Sequence, residues 1–301
     1  MHLKYLAHKE LKNFPSGSAL EFYSNRLYVV GDDARQLLVL NKNWKELHRI
    51  SLFDHKEYRI PKNEKADLEA STMITDHQHP KLLLLGSGSF ENKRNKSFLV
   101  DMKTETLEEK DFSIFYDRIK SEGISEINIE AAAVVNDYVL LCNRGNLTNR
   151  TNHFIITRTS FRDDQKNVFL LVLPFVLPVN NSSVVGISGL TYSFTNNWLI
   201  FTASTEVTDS AYKDGEIGES YCGIIENADG KIIAIDKKED VKKSPLQIDH
   251  FIALSPLDNS LRKKKIESVC IEKDRKRKLK LHLVADNDTG VSYLFKVELK
   301  K

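Results

Sequence analysis

Apolar residues along the chain fall in short runs, each closed by a small polar or turn-forming residue. The clearest are RLYVVGDD (26–33), KLLLLGSGS (81–89), YVLLCNRGN (138–146), WLIFTASTE (198–206) and LKLHLVADND (279–288). Apolar or β-branched residues run together before a Gly, Asp, Asn or Ser, the pattern of buried strands. One segment departs from it. In FSIFYDRIKSEG (112–123), Ile114, Phe115, Tyr116 and Ile119 recur at helical spacing and Gly123 closes the run, which predicts a short surface helix. No other stretch sustains a helical period, so an α/β alternation is excluded.

The five runs are the middle members of a repeat. Upstream of each lies a second run with a polar residue near its start: SALEFYS (18–24), DLEASTMI (67–74), NIEAAAVV (128–135), GISGLTYS (186–193) and KIESVCIE (265–272). Downstream lies a third: QLLVLN (36–41), KSFLVDM (96–102), HFIITRTSF (153–161), YCGIIEN (221–227) and VSYLFKVEL (291–299). All-β units that recur in this way predict a single β-propeller domain over 1–301, because one unit cannot bury both of its faces alone. A two-sheet sandwich would not place an acid or a serine at the same point of each unit. The last unit stops after three strands, while LKYLAHKEL (3–11) precedes the first unit without a partner. An N-terminal strand that completes the last blade resolves both facts. Five blades are expected, with six as the alternative. The insertion at 240–265 offers at most one further strand.

In a four-stranded blade the start of the first strand and the end of the second meet at one mouth of the central channel. The repeat therefore gathers Ser18 or Glu21, Glu69, Glu130, Ser188 and Glu267 into an inner ring. Around it stand second-strand ends that include Asp32, Asp33, Arg35, Ser87, Ser89, Asn143, Arg144, Asn146, Glu206, Asp286 and Asp288. Three carboxylates on one narrow channel repel one another and lose hydration, a cost that a hard dication removes. Ca²⁺ takes six to eight oxygen ligands, and the ring holds no His or Cys, which disfavours zinc and copper.

Composition narrows the partners. Lys and Arg number 44 against 42 Asp and Glu, so the net charge of +2 gives no global field toward nucleic acid or membrane. The basic runs RKKK (262–265) and DRKRK (274–278) are short turns without interleaved aromatics. Three cysteines without a CxxC pair exclude a disulfide framework and a Cys-rich zinc site. The opening residues lack an apolar leader core, and FLLVLPFVLPV (169–179) is too short for a bilayer and carries two prolines. A cytoplasmic monomer with a small anionic ligand is the expectation. GSGS (86–89) lacks the Gly-Lys-Ser/Thr of a phosphate loop, and GISG (186–189) is no nucleophile elbow.

The first unit, SALEFYSNRLYVVGDDAR (18–35), resembles the opening blade of the soluble calcium-activated nucleotidases, or apyrases. Those are five-bladed propellers with a central Ca²⁺ ringed by Ser, Glu, Glu, Ser and Glu, one per blade. The resemblance implies Ser18, Glu69, Glu130, Ser188 and Glu267 as metal ligands, in the same order. A looser likeness runs to phytase-like and esterase-like bacterial propellers, through Asn-Ile-Glu-Ala (128–131) and Cys-Asn-Arg-Gly-Asn (142–146). Arg35, Arg144 and Asn146, with the Lys93, Arg94 and Lys96 group, are candidates to hold phosphate oxygens beside the metal. Asp32, Asp33, Glu206, Asp286 and Asp288 are candidates to activate water. Two classes stay open: a calcium-dependent phosphohydrolase (with lactone or ester hydrolysis as its variant), and a non-enzymatic propeller with a structural calcium and a binding mouth.

Overall fold

The computed structural model describes residues 1–76, 79–179, 184–207, 216–237, 246–286 and 290–301, apart from the side chains of 206, 207 and 216. Strand β1 (His2–Leu11) comes first. The first blade is β2 (Gly17–Tyr23), β3 (Arg26–Gly31), β4 (Gln36–Asn41) and β5 (Glu46–Ser51). The second is β6 (Leu68–Asp76), β7 (His79–Gly86), β8 (Lys96–Asp101) and β9 (Leu107–Asp111). The third is β10 (Ile129–Val135), β11 (Tyr138–Asn143), β12 (Asn152–Arg158) and β13 (Leu170–Phe175). The fourth is β14 (Val184–Ser193), β15 (Trp198–Val207), β16 (Glu216–Glu226) and β17 (His250–Ala253). The fifth runs β18 (Lys265–Arg275), β19 (Lys278–Asp286) and β20 (Ser292–Lys300), with β1 as its outer strand.

All five sheets are antiparallel, and the innermost strands β2, β6, β10, β14 and β18 each touch the next around a closed ring. The expected seam is present: β1 pairs with β20 from His2 opposite Lys300 to Leu11 opposite Ser292. Among the described residues, the 240–265 insertion supplies β17 as the fourth strand of the fourth blade, and the strands form five sheets rather than six. Pro174 lies in β13, an outer strand, where a missing N–H leaves no ladder bond unmade.

The blade interfaces explain why the strands read as continuous apolar runs. Leu82 and Leu84 pack into the core between the first two blades, whereas Leu83 and Leu85 pack into the core between the second and third. Leu27 and Val29 face the fifth blade while Tyr28 and Val30 face the second. A strand buried on both sides needs apolar residues at every position. Helix α1 (Ser113–Ser121) is the expected one, burying Phe115, Tyr116 and Ile119. A second, α2 (Ala228–Asp236), corrects the reading that no other segment is helical. It buries Ala228, Ile232 and Ile235 against the core between the third and fourth blades. Its nine residues include Gly230 and three isoleucines, a composition that masks the period. No helix among the described residues is long and apolar enough to cross a membrane.

Candidate functional site

Each innermost strand carries a bulge at the same place, and β18 has a second between Ile271 and Lys273. The register with the second strand shifts between Gly17 and Ala19, Leu68 and Ala70, Ile129 and Ala131, Ile187 and Gly189, and Ile266 and Ser268. The extra residues are Ser18, Glu69, Glu130, Ser188 and Glu267. A bulge leaves its residue outside the ladder and re-aims the side chain. Five bulges at matching offsets bring those five side chains to one level of the inner wall, at the mouth where second strands end. Glu21 lies three residues further along β2, within the regular ladder opposite Tyr28. Ser18 is therefore the ring member of the first blade.

The ring residues are engaged in two ways. Ser18 Oγ donates to the Leu68 carbonyl at 2.5 Å and Ser188 Oγ donates to the Ile266 carbonyl at 2.5 Å. Each serine thus clamps the residue just before the next blade's glutamate. The glutamates face basic groups: Arg144 Nη1 lies 3.3 Å from Glu130 Oε2, and Lys265 Nζ lies 3.0 Å from Glu267 Oε1. Asn128 Nδ2 also donates to Glu130 Oε1 at 2.7 Å. Burial, then the charges of Glu130, Asp67 and Asp32, push the Glu69 carboxyl well above the usual range, with Lys65 opposing.

Beside the ring, between the first two blades, the acids crowd more closely. Among the described residues one trio, Asp32, Asp67 and Glu69, brings its carboxylate oxygens within 4.8 Å of one another. Ca²⁺–oxygen distances of about 2.3–2.6 Å let one ion span such a trio. The all-oxygen donor set fits a hard dication. Glu130 and Glu267 stand outside the trio, so only Glu69 is common to it and to the ring read from the sequence. Lys65 reaches into the trio, with Nζ 2.7 Å from Asp67 Oδ1 and a second ion pair to Asp32. Burial opposes its charge, but Asp32, Asp67 and Glu69 together hold its ammonium more firmly protonated than usual. Arg94 Nη1, buried, donates to Asp67 Oδ2 at 2.7 Å, and Ser87 Oγ donates to the same oxygen at 2.5 Å. Lys65 and Arg94 draw Asp67 below its usual value against the effect of burial, whereas burial leaves Asp32 raised.

Over these groups opens a cleft of about 300 Å³ lined by Ser16, Asp32, Asp33, Arg59, Lys62, Lys65 and Asp286, with Ile60 and Pro61. The connection from the first blade to the second lies across it: Ile60 N donates to the Asp33 carbonyl at 2.8 Å. Arg59 Nε donates to Asp33 Oδ2 at 2.7 Å and its Nη2 to Ser16 Oγ at 3.0 Å.

Asp32, Asp33 and Asp286 thus share this cleft. Glu206 has its main chain in β15, opposite Val184 at the same mouth, and Asp288 lies outside the described residues. Arg35 and Asn146 line no part of the cleft. Arg35 Nη1 donates to the His55 carbonyl at 2.9 Å. Asn146 accepts from the Thr148 and Asn149 N–H groups and donates to Glu126, which shapes its own loop. Arg144 is at the ring but buried beside Gly186, where a Cβ would come 2.3 Å from its Nε. Sequence reasoning missed Arg59, Lys62 and Lys65, and used Asp67 only as the start of a repeat unit. A signal was there: Lys65, Asp67 and Glu69 alternate, as Lys265 and Glu267 do.

Comparisons support the fold. The chain is similar to the glutaminyl cyclase of Myxococcus xanthus at 9% identity and a TM-score of 0.55, covering 99% of this chain and 96% of that one. It is also similar to the tail fibre of Staphylococcus aureus phage P68, at 11% identity and a TM-score of 0.51, covering 100% and 53%. Virginiamycin B lyase from Staphylococcus aureus aligns at 10% identity over 99% of this chain and 100% of that one, but its TM-score of 0.38 carries no argument. At such identities the likeness shows the fold alone. No curated protein matches the sequence. A family model matches residues 13–299, nearly the whole chain, and the protein therefore belongs to the family of unknown function DUF6929.

Proposed function

We propose that the protein is a calcium-binding propeller that takes a phosphate-bearing ligand at its ring-side mouth and hydrolyses a phosphoric ester or anhydride there. The coincidence of five bulges with Ser18, Glu69, Glu130, Ser188 and Glu267 carries the reading. It also supports the likeness to the calcium-activated nucleotidases, whose ring has the same residue order. Bound Ca²⁺ would neutralise phosphoryl oxygens. Arg59 and Lys62, on the cleft wall, suit the remaining anionic oxygens better than Arg35 or Asn146 do. Asp32 is our choice of general base. Burial raises its carboxyl, and its Oδ1 is buried without a hydrogen-bond partner on the wall of the cleft. A base raised toward neutrality is suited to take the proton of an attacking water.

A second reading rests on Arg144 and Lys265, which already neutralise Glu130 and Glu267. On that reading the mouth binds a ligand without turning it over. Protein stripped with chelator separates the two. Ion binding to the folded state alone should stabilise by about 2.7 kcal/mol at a hundredfold excess over Kd. Glu130→Gln should reduce that gain, because it removes one charge from the cage. A panel of nucleotides, phosphomonoesters and lactones, with and without Ca²⁺, should show calcium-dependent phosphate release. Asp32→Asn should abolish that release by about a hundredfold or more while the fold persists. Stabilisation without turnover leaves the binding propeller, and identical melting with Ca²⁺ and with chelator removes the calcium reading.

A further inference from the structure

The net charge of +2 conceals an uneven distribution. At the ring-side mouth acids and bases are interleaved, Asp32 and Asp67 with Lys65, Glu130 with Arg144 and Glu267 with Lys265. At the opposite end of the ring, the tip of the β18–β19 hairpin carries Lys273, Arg275, Lys276, Arg277 and Lys278, all exposed. The acid within it, Asp274, is taken up by the neighbouring turn of the fourth blade. It accepts from Ser193 Oγ at 2.7 Å, from Thr195 N at 3.0 Å and from Asn196 Nδ2 at 3.0 Å. Asn196 also donates to the Arg275 carbonyl at 3.0 Å and accepts from the Arg277 N–H at 2.7 Å. The side chains of Asp274 and Asn196 thereby weld the two turns, and the basic side chains are left out of the weld. Lys278 pairs with Glu298 at 2.8 Å, whereas no acid lies within ion-pair distance of Lys273, Arg275, Lys276 or Arg277 among the described residues.

Phe194 belongs to the same weld, between Ser193 and Thr195, and is 78% exposed, the most exposed aromatic side chain among the described residues. The turn does not require it. The left-handed residue is Asn197, at φ 55°, and the corresponding turns of the first and third blades hold polar residues, Ser24 with Asn25 and Asn136 with Asp137. An exposed aromatic beside cations free of ion pairs suits the boundary of an anionic bilayer, where headgroups attract the cations and the ring enters the acyl edge. We infer that this end of the fourth and fifth blades is a docking surface for an anionic lipid bilayer, with the ring-side mouth turned toward solution. A single-stranded nucleic acid asks for a basic groove with successive stacking platforms, whereas here one aromatic stands on a projecting turn. The net charge missed this surface because it averages over the whole chain.

The test is vesicle co-sedimentation of the full chain, in chelator so that the ring-side mouth plays no part. Phosphatidylcholine vesicles are compared with vesicles containing phosphatidylglycerol, at low and high salt. The protein should bind the anionic vesicles alone and should be released by high salt. Arg275→Glu with Arg277→Glu should weaken binding at least about tenfold, at unchanged melting temperature, since Asn196 holds only the backbone of those residues. Phe194→Ser should weaken it several-fold. Failure to bind anionic vesicles, wild-type binding by either variant, or capture of a single-stranded oligonucleotide with vesicles ignored would overturn the inference.

Discussion

Lys65 does from within the protein what a metal ion would do from outside. Its ammonium sits with Asp32 and Asp67, and the raised carboxyl of Glu69 feels it as the opposing charge. Lys65→Met should leave these acids without that cation and cost about 3–5 kcal/mol in chelator. Saturating Ca²⁺ should recover most of the loss, so the variant should gain more from the ion than the wild type does. Melting curves of both proteins in chelator and in Ca²⁺ check this, and an equal loss in both conditions would mean that Lys65 only packs. The role was hard to read from sequence because a lysine in KNEKADLEA (62–70) reads as a solvated loop charge. Its partner Asp32 belongs to another blade, and no local pattern reports such a contact. The five ring residues were legible for the opposite reason: a polar residue at the head of an apolar run stands out, and it does so five times.

Strands were legible and their irregularities were not. A bulge adds a residue without any marker in the sequence, so the ring could be placed by blade position although the device that exposes it could not. Helix α2 was hidden for a related reason, since its β-branched run reads equally well as strand. Within β2, Glu21 illustrates what a regular ladder does to a carboxyl. Burial lifts it from 4.5 to about 8, against a hydrogen bond from the Phe22 backbone. A carboxyl raised in the folded state contributes stability that is full below the unfolded value and is lost as pH rises through the folded one. Stability should therefore fall between pH 4.5 and about 8. Glu21→Gln should match the wild type at the acid end and melt several degrees higher at the alkaline end. Glu69, also raised, should leave part of the slope in place. Melting temperature against pH for the two proteins is the measurement, and parallel curves would refute this account of Glu21.

At the scale of the whole molecule, the ring has five blade interfaces and one seam without a chain connection, the β1–β20 pairing inside the fifth blade. Leu11 and Phe14 pack with Leu294, Val284 and Cys270 of the fifth blade and with Leu20, Leu27 and Leu38 of the first, so the seam and the core beside it share residues. The sequence showed this closure because one unit lacked a strand and one strand lacked a unit, a counting argument that needs no contact information. Deleting residues 1–14 should expose the β20 edge, open the core between the fifth and first blades, and either abolish folding or lower the melting temperature by about ten degrees or more. A circular permutant supplies the control. His2 lies opposite Lys300, so a short linker can join the old termini, and new ones can be opened in the turn at Asn136 and Asp137. That protein keeps every strand pair of the fifth blade while its covalent break falls elsewhere. If pairing of β1 closes the ring, the permutant should melt near the wild type and the deletion should not. A deletion as stable as the permutant would show that four blades and a three-stranded fifth suffice, and that β1 only covers an edge.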